Sequence, residues 1–346
     1  MKACRLRAAH ELELSELPDP VPGPRDAVIR LRAGGICGSD LHYFAEGGVG
    51  DFRLREPLVL GHEVAGEVVA VGPEVRTVKP GDRVAVNPNH ACGHCRPCLA
   101  GRRNLCQNVR FYGSAARFPH VQGAFADFFL AREENCHVLH SEIPYRAAAC
   151  AEPLAVALHA LEQAGPVVGR SVFIAGSGPI GVLLCAAARL GGAARICASD
   201  VLDEPLAIAR ALGATETVNV AAQSDRLETL ARGPGTFSVA FEASGHPSGV
   251  AAALAVTEPG GTVVQVGMLP PGPTAAPLNK VVAKELRLVG TFRFDREYAM
   301  AVAALESGRI DVTPMLTHEF TFAERVLAFA TAADKRRAMK VSLRPS

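Results

Sequence analysis

Between Gly34 and Glu63 the sequence places a thiol, imidazoles and carboxylates beside several glycines, at Cys37, Asp40, His42, His62 and Glu63. Sulfur and imidazole nitrogen are ligands that Zn²⁺ prefers, and a carboxylate oxygen can complete a set of three. Three protein ligands leave a fourth position open for water or a substrate oxygen. These residue types therefore predict a catalytic zinc site.

A second group of thiols follows the pattern C-x2-C-x2-C-x7-C. Four thiolates this close can surround one zinc ion and leave no open position, so we expect a structural site at Cys92, Cys95, Cys98 and Cys106. An iron–sulfur cluster is an alternative, because short-spaced cysteines also bind such clusters. The catalytic zinc-type group elsewhere in the chain favours zinc here too. His94 lies inside the loop, but four cysteines suffice without it.

A glycine-rich turn at 176–181, of the form G-x-G-x-x-G, stands between the apolar run Ser171–Ala175 and a helical segment at 182–190. Its first glycine makes the turn, its second lets a pyrophosphate approach the backbone, and its third lets helix and strand pack closely. Asp200 ends the next strand, where a carboxylate binds the ribose hydroxyls of NAD and repels the 2′-phosphate of NADP. We therefore expect NAD in preference to NADP. The candidate cofactor contacts are Gly176, Gly178, Pro179, Ile180, Gly181, Asp200, Val266, Gly267 and Thr291.

The elements that must position these groups change character along the chain. The first ~150 residues, about one domain's length, are punctuated by proline and glycine and contain β-rich runs such as Val64–Gly72. From Arg170 onward, short apolar strands alternate with helices until Leu286–Thr291, giving six strands. This alternation is typical of a doubly wound parallel sheet, so the fold class is α/β.

Composition and charge exclude several classes of protein. The 346 residues are 49% hydrophobic and carry a net charge of +1, which argues against a nucleic-acid or membrane-surface partner. No apolar run reaches the ~18 residues of a membrane span. The start of the chain lacks a signal-peptide core, so ten cysteines indicate reduced thiols or metal ligands. We expect a cytoplasmic protein.

In order and spacing, these motifs resemble the zinc-dependent medium-chain alcohol dehydrogenase family over nearly the whole chain. The resemblance depends on five stretches, namely Gly34–His42, Gly61–Glu63, the four-cysteine loop, Glu152–Leu154 and Gly176–Gly181. Within the family, the chain is similar to the polyol branch that includes sorbitol dehydrogenases, and to dehydrogenases of the sugar acid L-idonate. The stretches that suggest this are His42–Gly50, Arg110–His120, Phe241–Ser248 and Gly290–Phe294.

The resemblance implies a β-rich, GroES-like catalytic domain built from residues 1–151 and 292–346. A Rossmann NAD-binding domain at 152–291 is inserted between the two parts. The resemblance also implies one catalytic and one structural zinc ion, NAD as cofactor, and a homodimer or homotetramer formed through the Rossmann sheet.

The resemblance further implies roles for individual residues. Cys37, His62 and Glu63 match the catalytic zinc ligands of the polyol branch. Glu152 matches a carboxylate that binds the metal or holds its water, so both Glu63 and Glu152 are candidates for the third ligand. An acid favoured by a helix N-terminus is the alternative explanation of Glu152. Ser39 matches the hydroxyl that receives the substrate proton, and His42 the histidine that relays it outward.

The implied substrate is the secondary alcohol of a sugar acid such as L-idonate, with sorbitol, xylitol and threonine as alternatives. A carboxylate substrate needs a cation, ideally a bidentate arginine. Arg293 matches a substrate-side arginine of the family, and Arg110 and Arg117 are further candidates, with ordinary surface charge as their alternative. Phe294 replaces a tyrosine common in sorbitol dehydrogenases, which speaks against sorbitol itself.

Two other classes of protein fit the sequence less well. A non-catalytic zinc- and NAD-binding protein that kept the fold should have lost Cys37, His62 or Ser39, and all three are present. A zinc-ribbon module for nucleic acid should carry a basic stripe beside its cysteines, which this chain lacks.

Overall fold

The computed structural model describes residues 1–233 and 235–346. These residues form two compact units. The first consists of Met1–Glu152, Tyr298–Gly308 and Leu316–Ser346, and the second of Pro153–Glu297 and Arg309–Met315.

The N-terminal part of the chain folds mainly into strands. They are β1 (Lys2–Leu6), β2 (Leu12–Glu16), β3 (Asp26–Gly35), β4 (Gly48–Val49), β5 (Phe52–Arg53), β6 (Leu58–Val59), β7 (Glu63–Val71), β8 (Arg83–Val86), β9 (Asn89–His90), β10 (Arg110–Phe111), β11 (Phe128–Arg132) and β12 (Cys136–Val138). The helices here are α1 (Gly38–Glu46), α2 (Arg96–Leu99) and α3 (Tyr145–Ala149), with 3-10 turns at Arg103–Leu105 and Glu133–Asn135.

The middle part alternates helices and strands. Its elements are α4 (Ala151–Ala164), β13 (Ser171–Ala175), α5 (Pro179–Leu190), β14 (Arg195–Asp200), α6 (Asp203–Ala211), β15 (Glu216–Asn219), α7 (Ser224–Leu230), β16 (Phe237–Glu242), α8 (Pro247–Val256), β17 (Thr257–Gln265), α9 (Asn279–Ala283) and β18 (Arg287–Gly290). The C-terminal part contains α10 (Glu297–Glu306), β19 (Leu316–Thr321), α11 (Arg325–Ala333) and β20 (Lys340–Arg344), with 3-10 turns at Thr313–Met315 and Phe322–Glu324.

The main sheet of the first unit joins strands from both ends of the chain. Its order is β12-β8-β7-β3-β20-β19, with β11 also paired to β3. Gly35 at the end of β3 pairs with Glu63 on one side and with Ser342 on the other. Leu31 and Val68 are buried in the core beneath this sheet, and each such side chain contributes roughly 1.5–3 kcal/mol. The C-terminal strand is therefore part of the framework that carries Glu63.

The second unit contains a six-stranded sheet in the order β15-β14-β13-β16-β17-β18, and every pair is parallel. Its central strand β13 is an almost continuous apolar run, as expected when helices cover both faces; Phe173 and Ile174 are fully buried. The predicted doubly wound parallel sheet is confirmed. Helix α5 begins at Pro179, three residues earlier than predicted, because proline is tolerated in a first helical turn.

Helix length and the state of the cysteines relate to two of the predictions. No helix among the described residues is both long and apolar enough to cross a membrane. All ten cysteines are free thiols.

Candidate functional site

A buried aspartate organises the predicted zinc group of the first unit. Cys37 caps the N-terminus of α1, and its backbone N–H donates to Asp40 Oδ2 at 3.0 Å. Asp40 Oδ1 accepts a hydrogen bond from the Gly61 N–H at 3.2 Å and lies 3.8 Å from His62 Nδ1. Asp40 therefore fixes α1 to the turn that carries His62. The sequence motif contains this aspartate, but its role was not predicted.

The three predicted ligands meet in one place. Ligand atoms of Cys37, His62 and Glu63 all lie within 4.8 Å of one another. His62 and Glu63 are buried, and His62 Nδ1 has no hydrogen-bond partner among the described residues. The Phe111 ring packs against the imidazole, with 5.4 Å between ring centroids. One sulfur, one ring nitrogen and one oxygen in a partly apolar pocket fit Zn²⁺.

Glu152 lies in the first turn of α4, outside that group of three. Burial raises the pKa of its carboxyl to about 8; His62 opposes this change, while Glu63 and Cys37 add to it. Burial also raises the pKa of the Cys37 thiol to about 12, and the charge on Glu63 acts in the same direction. A bound cation would favour the ionised form of each of these acids. The site thus contains acidic groups whose ionised forms a metal ion would stabilise.

The predicted proton-transfer residues lie on α1. Ser39 is half-buried, and its hydroxyl acts to lower the pKa of the nearby Cys37 thiol against the larger effect of burial. His42 lies on the next turn, is exposed, and places its Nδ1 3.0 Å from Glu46 Oε1. The helix therefore runs from the ligand group to solvent, with Ser39 at its inner end.

The four predicted structural ligands are clustered. Their sulfurs lie within 4.8 Å of one another, with Cys95 Sγ 3.4 Å from Cys98 Sγ and 3.8 Å from Cys106 Sγ. A hydrogen bond from the His94 backbone N–H is the main cause that lowers the pKa of Cys92 to about 6. The His94 imidazole is exposed and contacts the Cys92 carbonyl oxygen at 2.8 Å. Four thiols in this arrangement fit a closed tetrahedral zinc site.

The glycine-rich turn of the second unit has the shape that a dinucleotide requires. Gly176 has φ +90°, and a Cβ there would lie 2.6 Å from the Ser244 nitrogen. A Cβ at Gly181 would lie 2.0 Å from the Gly176 carbonyl oxygen. Gly178, the cap of α5, faces open space where a pyrophosphate can approach the helix N-terminus, beside Pro179 and Ile180.

The other predicted cofactor residues lie at carboxyl ends of the parallel strands. Asp200 ends β14, and its Oδ2 accepts a hydrogen bond from the Ser177 N–H at 2.8 Å. The N–H groups of Val266 and Gly267, just past β17, both donate to the Glu242 carbonyl at 2.8 Å. Thr291 follows β18, and its Oγ1 is buried with no hydrogen-bond partner among the described residues. Such strand ends are where doubly wound folds bind their ligands.

Arg110 does not face the ligand group. It lies on β10 beside Phe111, whose ring contacts His62. Neighbouring residues of a strand point to opposite faces, so Arg110 points away from His62. Its contact with a substrate stays a prediction, which this position does not favour.

Arg117 binds two backbone carbonyl groups. Its Nε donates to the Val109 carbonyl at 2.6 Å and its Nη2 to the Gln107 carbonyl at 2.5 Å. These bonds tie its loop to the segment after the four-cysteine group. Arg293, the third predicted arginine, belongs to the second unit, where its guanidinium lies 4.9 Å from the centroid of the Phe292 ring.

Two domain families match the chain. Residues 23–141 match the alcohol dehydrogenase GroES-like domain, and residues 179–307 match the zinc-binding dehydrogenase domain. The predicted GroES-like and Rossmann architecture, and zinc as a cofactor, are confirmed.

Known proteins with these domains are similar along their full lengths. The L-idonate 5-dehydrogenase (NAD(P)(+)) of Escherichia coli is 42% identical over 318 residues, which cover 91% of each chain. The sorbitol dehydrogenase of Bacillus subtilis is 34% identical and covers 100% of this chain and 98% of its own. A crystal structure of the E. coli L-idonate 5-dehydrogenase superimposes with a TM-score of 0.94 at 39% identity, covering 99% of this chain and 97% of that one.

Proposed function

The chain belongs to the zinc-dependent medium-chain alcohol dehydrogenase family, and we propose that it oxidises a sugar acid, with L-idonate as the leading substrate. This proposal is supported by the close approach of the ligand atoms of Cys37, His62 and Glu63, in a chain 42% identical to an L-idonate 5-dehydrogenase. Sorbitol is the second candidate, because a sorbitol dehydrogenase is 34% identical over the whole chain.

We assign the catalytic zinc to Cys37, His62 and Glu63, and the structural zinc to Cys92, Cys95, Cys98 and Cys106. A bound zinc ion supplies a Lewis acid that makes an alcohol easier to deprotonate, and NAD supplies the hydride acceptor. Glu152 is the proposed further ligand; it is buried, and burial raises the pKa of its carboxyl to about 8.

The chain's own groups move the proton. Ser39 is half-buried beside Cys37, where its hydroxyl can accept the proton of an alcohol at ~2.6–3.2 Å. His42 lies exposed on the following turn of α1 and passes the proton to solvent. Both proton-transfer residues, Ser39 and His42, therefore lie on the same helix, α1.

We propose that the glycine turn holds the cofactor pyrophosphate and that Asp200 binds the adenosine ribose. Asp200 Oδ1 accepts a hydrogen bond from the Val201 N–H at 2.7 Å, which fixes the carboxylate at the strand end. A fixed negative charge there favours NAD over NADP, because it repels a 2′-phosphate.

Arg293 remains the proposed partner of the substrate carboxylate. Arg117 is committed to backbone carbonyls, and Arg110 points away from His62. A guanidinium can bind a carboxylate through two parallel hydrogen bonds, which a neutral polyol cannot match.

We also propose a homodimer or homotetramer formed through β18, the edge strand of the six-stranded sheet. Most of its residues are exposed, and an unpaired strand edge is suited to pairing with a second copy. A cytoplasmic location is proposed from the ten free thiols.

Initial rates with L-idonate, sorbitol, xylitol and threonine, each with NAD and with NADP, test the substrate and cofactor. We expect the highest kcat/KM with L-idonate and NAD. Arg293→Ala should lower kcat/KM for L-idonate roughly 100-fold and for sorbitol much less, since a charged hydrogen-bonded pair contributes about 1.5–3 kcal/mol. Arg110→Ala is the matched control and should change neither. Equal losses of kcat/KM on L-idonate and sorbitol would show that Arg293 does not bind the substrate carboxylate.

A further inference from the structure

The zinc group of the first unit contains a buried cation that the sequence did not indicate. Lys340, at the start of β20, is 3% exposed. Its Nζ lies 2.8 Å from Glu63 Oε1 and 2.7 Å from Glu63 Oε2, and donates to the Ile36 carbonyl at 3.3 Å. Both oxygens of one predicted zinc ligand are thus bound to a single ammonium group.

Gly35 gives the Glu63 carboxylate room to reach this ammonium. It pairs with Glu63 of β7 on one side and with Ser342 of β20 on the other. A Cβ at Gly35 would lie only 2.1 Å from Glu63 Oε2. The Glu63 side chain therefore lies over the backbone of β3, on the path from its own strand to that of Lys340.

The charge of Lys340 acts on the whole group. Its ammonium group is buried together with Glu63 and with His62 of the same group. Before any metal binds, Lys340 supplies positive charge to a pocket whose ligands are acids.

We infer that Lys340 is a positioning residue that competes with the catalytic zinc for Glu63 and so speeds the release of zinc from this site. The inference rests on the proposed catalytic zinc site. A cation that binds Glu63 must share the carboxylate with the ammonium, which both repels it and occupies the oxygen lone pairs. Among the described residues, neither Cys37 nor His62 is paired with a cation.

Zinc release to the colorimetric chelator pyridylazoresorcinol tests this inference without any substrate. The full-length protein should release its zinc in two phases, and Cys37→Ser identifies the phase of the structural site. Lys340→Met should slow the catalytic phase at least about tenfold, because zinc becomes the only counter-charge of Glu63. The structural phase should not change. Lys340→Arg keeps the charge and should stay within about threefold of wild type.

The Glu63→Gln background separates competition from packing. With a neutral amide at position 63, only the direct repulsion between zinc and the ammonium remains. The double variant Glu63→Gln/Lys340→Met should therefore release zinc at nearly the rate of Glu63→Gln alone, and both should release it faster than wild type. Slowing by Lys340→Met of equal size in the two backgrounds would show that Lys340 does not act through Glu63 and would overturn the inference. Unchanged or faster release from Lys340→Met in the wild-type background would also overturn it. The release rates are measured without substrate. They therefore test the role of Lys340 even if the protein does not oxidise L-idonate.

Discussion

At the scale of single residues, Asp40 explains how a cysteine and a histidine from separate segments reach one site. Its two oxygens bind the Cys37 and Gly61 N–H groups, and it is fully buried. Partners of this kind orient metal ligands and are typically worth 10- to 100-fold in metal affinity.

Asp40→Ala should therefore weaken the catalytic zinc site by about 10- to 100-fold and leave the four-cysteine site filled. Metal analysis after dialysis against a mild chelator measures this as a fall from two zinc ions per chain toward one. Asp40→Asn keeps the shape of the side chain and should lose less zinc than Asp40→Ala. Two retained zinc ions in Asp40→Ala would contradict the role given to this carboxylate.

Residue types were the most predictable part of the site. The four clustered cysteines were predicted from spacing and ligand chemistry, and Cys37, His62 and Glu63 from ligand chemistry together with the family resemblance; the structure brings each set together. Lys340 was not predictable, because a lysine in a final strand gives no sign that it pairs with a glutamate near the other end of the chain. The substrate roles of the three arginines rest on the family resemblance, because an arginine in a sequence gives no sign of which group it will face.

At the scale of elements, the sheet of the first unit sets the position of Glu63 through three neighbouring strands. Gly35 on β3 leaves space that no other residue type leaves. This requirement is local to Gly35, because a Cβ at nearby Gly38 would meet nothing within 4 Å.

Gly35→Ala should destabilise the protein by roughly 1–3 kcal/mol, since an added methyl group overpacks the site, and should displace Glu63 from Lys340. Urea unfolding and metal analysis measure the two effects. Gly38→Ala is the matched control, and we expect it to keep the catalytic zinc. Wild-type zinc content and stability in Gly35→Ala would show that the Glu63 position is not constrained by β3.

A second element-scale prediction concerns the turn after β11. Glu133 accepts hydrogen bonds from the Arg76 N–H at 2.8 Å and from Arg25 at 3.0 Å. These bonds, the one from the Arg76 backbone first, lower its pKa from 4.5 to about 2. The carboxylate therefore stabilises the fold at pH values above 4.5, and this contribution is lost as the pH falls toward 2.

Glu133→Gln should lower stability at neutral pH and flatten the loss of stability between pH 4.5 and pH 2. Urea midpoints measured across that range give the comparison. Glu134→Gln is the control, because Glu134 is exposed and lies 3.8 Å from Arg25. A wild-type acid profile in Glu133→Gln would contradict the assigned pKa shift.

At the scale of the whole molecule, the alternation of strand and helix predicted the parallel sheet, because periodicity and the glycine turn act locally. The assignment of residues 309–315 to the second unit was not predictable, since only tertiary contacts decide it. The C-terminal strands were expected to return to the first unit from the family resemblance, and β20 does pair with β3 there.

The central claim is that one chain combines a catalytic zinc ion at Cys37, His62 and Glu63 with NAD-linked oxidation of a sugar acid or polyol. The most direct test is the initial rate of NADH formation from L-idonate, compared between wild type with two zinc ions and Cys37→Ser with the structural zinc alone. We predict steady turnover by wild type and a rate at least about 1000-fold lower for Cys37→Ser, because a Lewis acid at the reacting oxygen supplies several kcal/mol. Equal rates for the two proteins, or no NADH from L-idonate, sorbitol or xylitol with both zinc sites filled, would contradict the account.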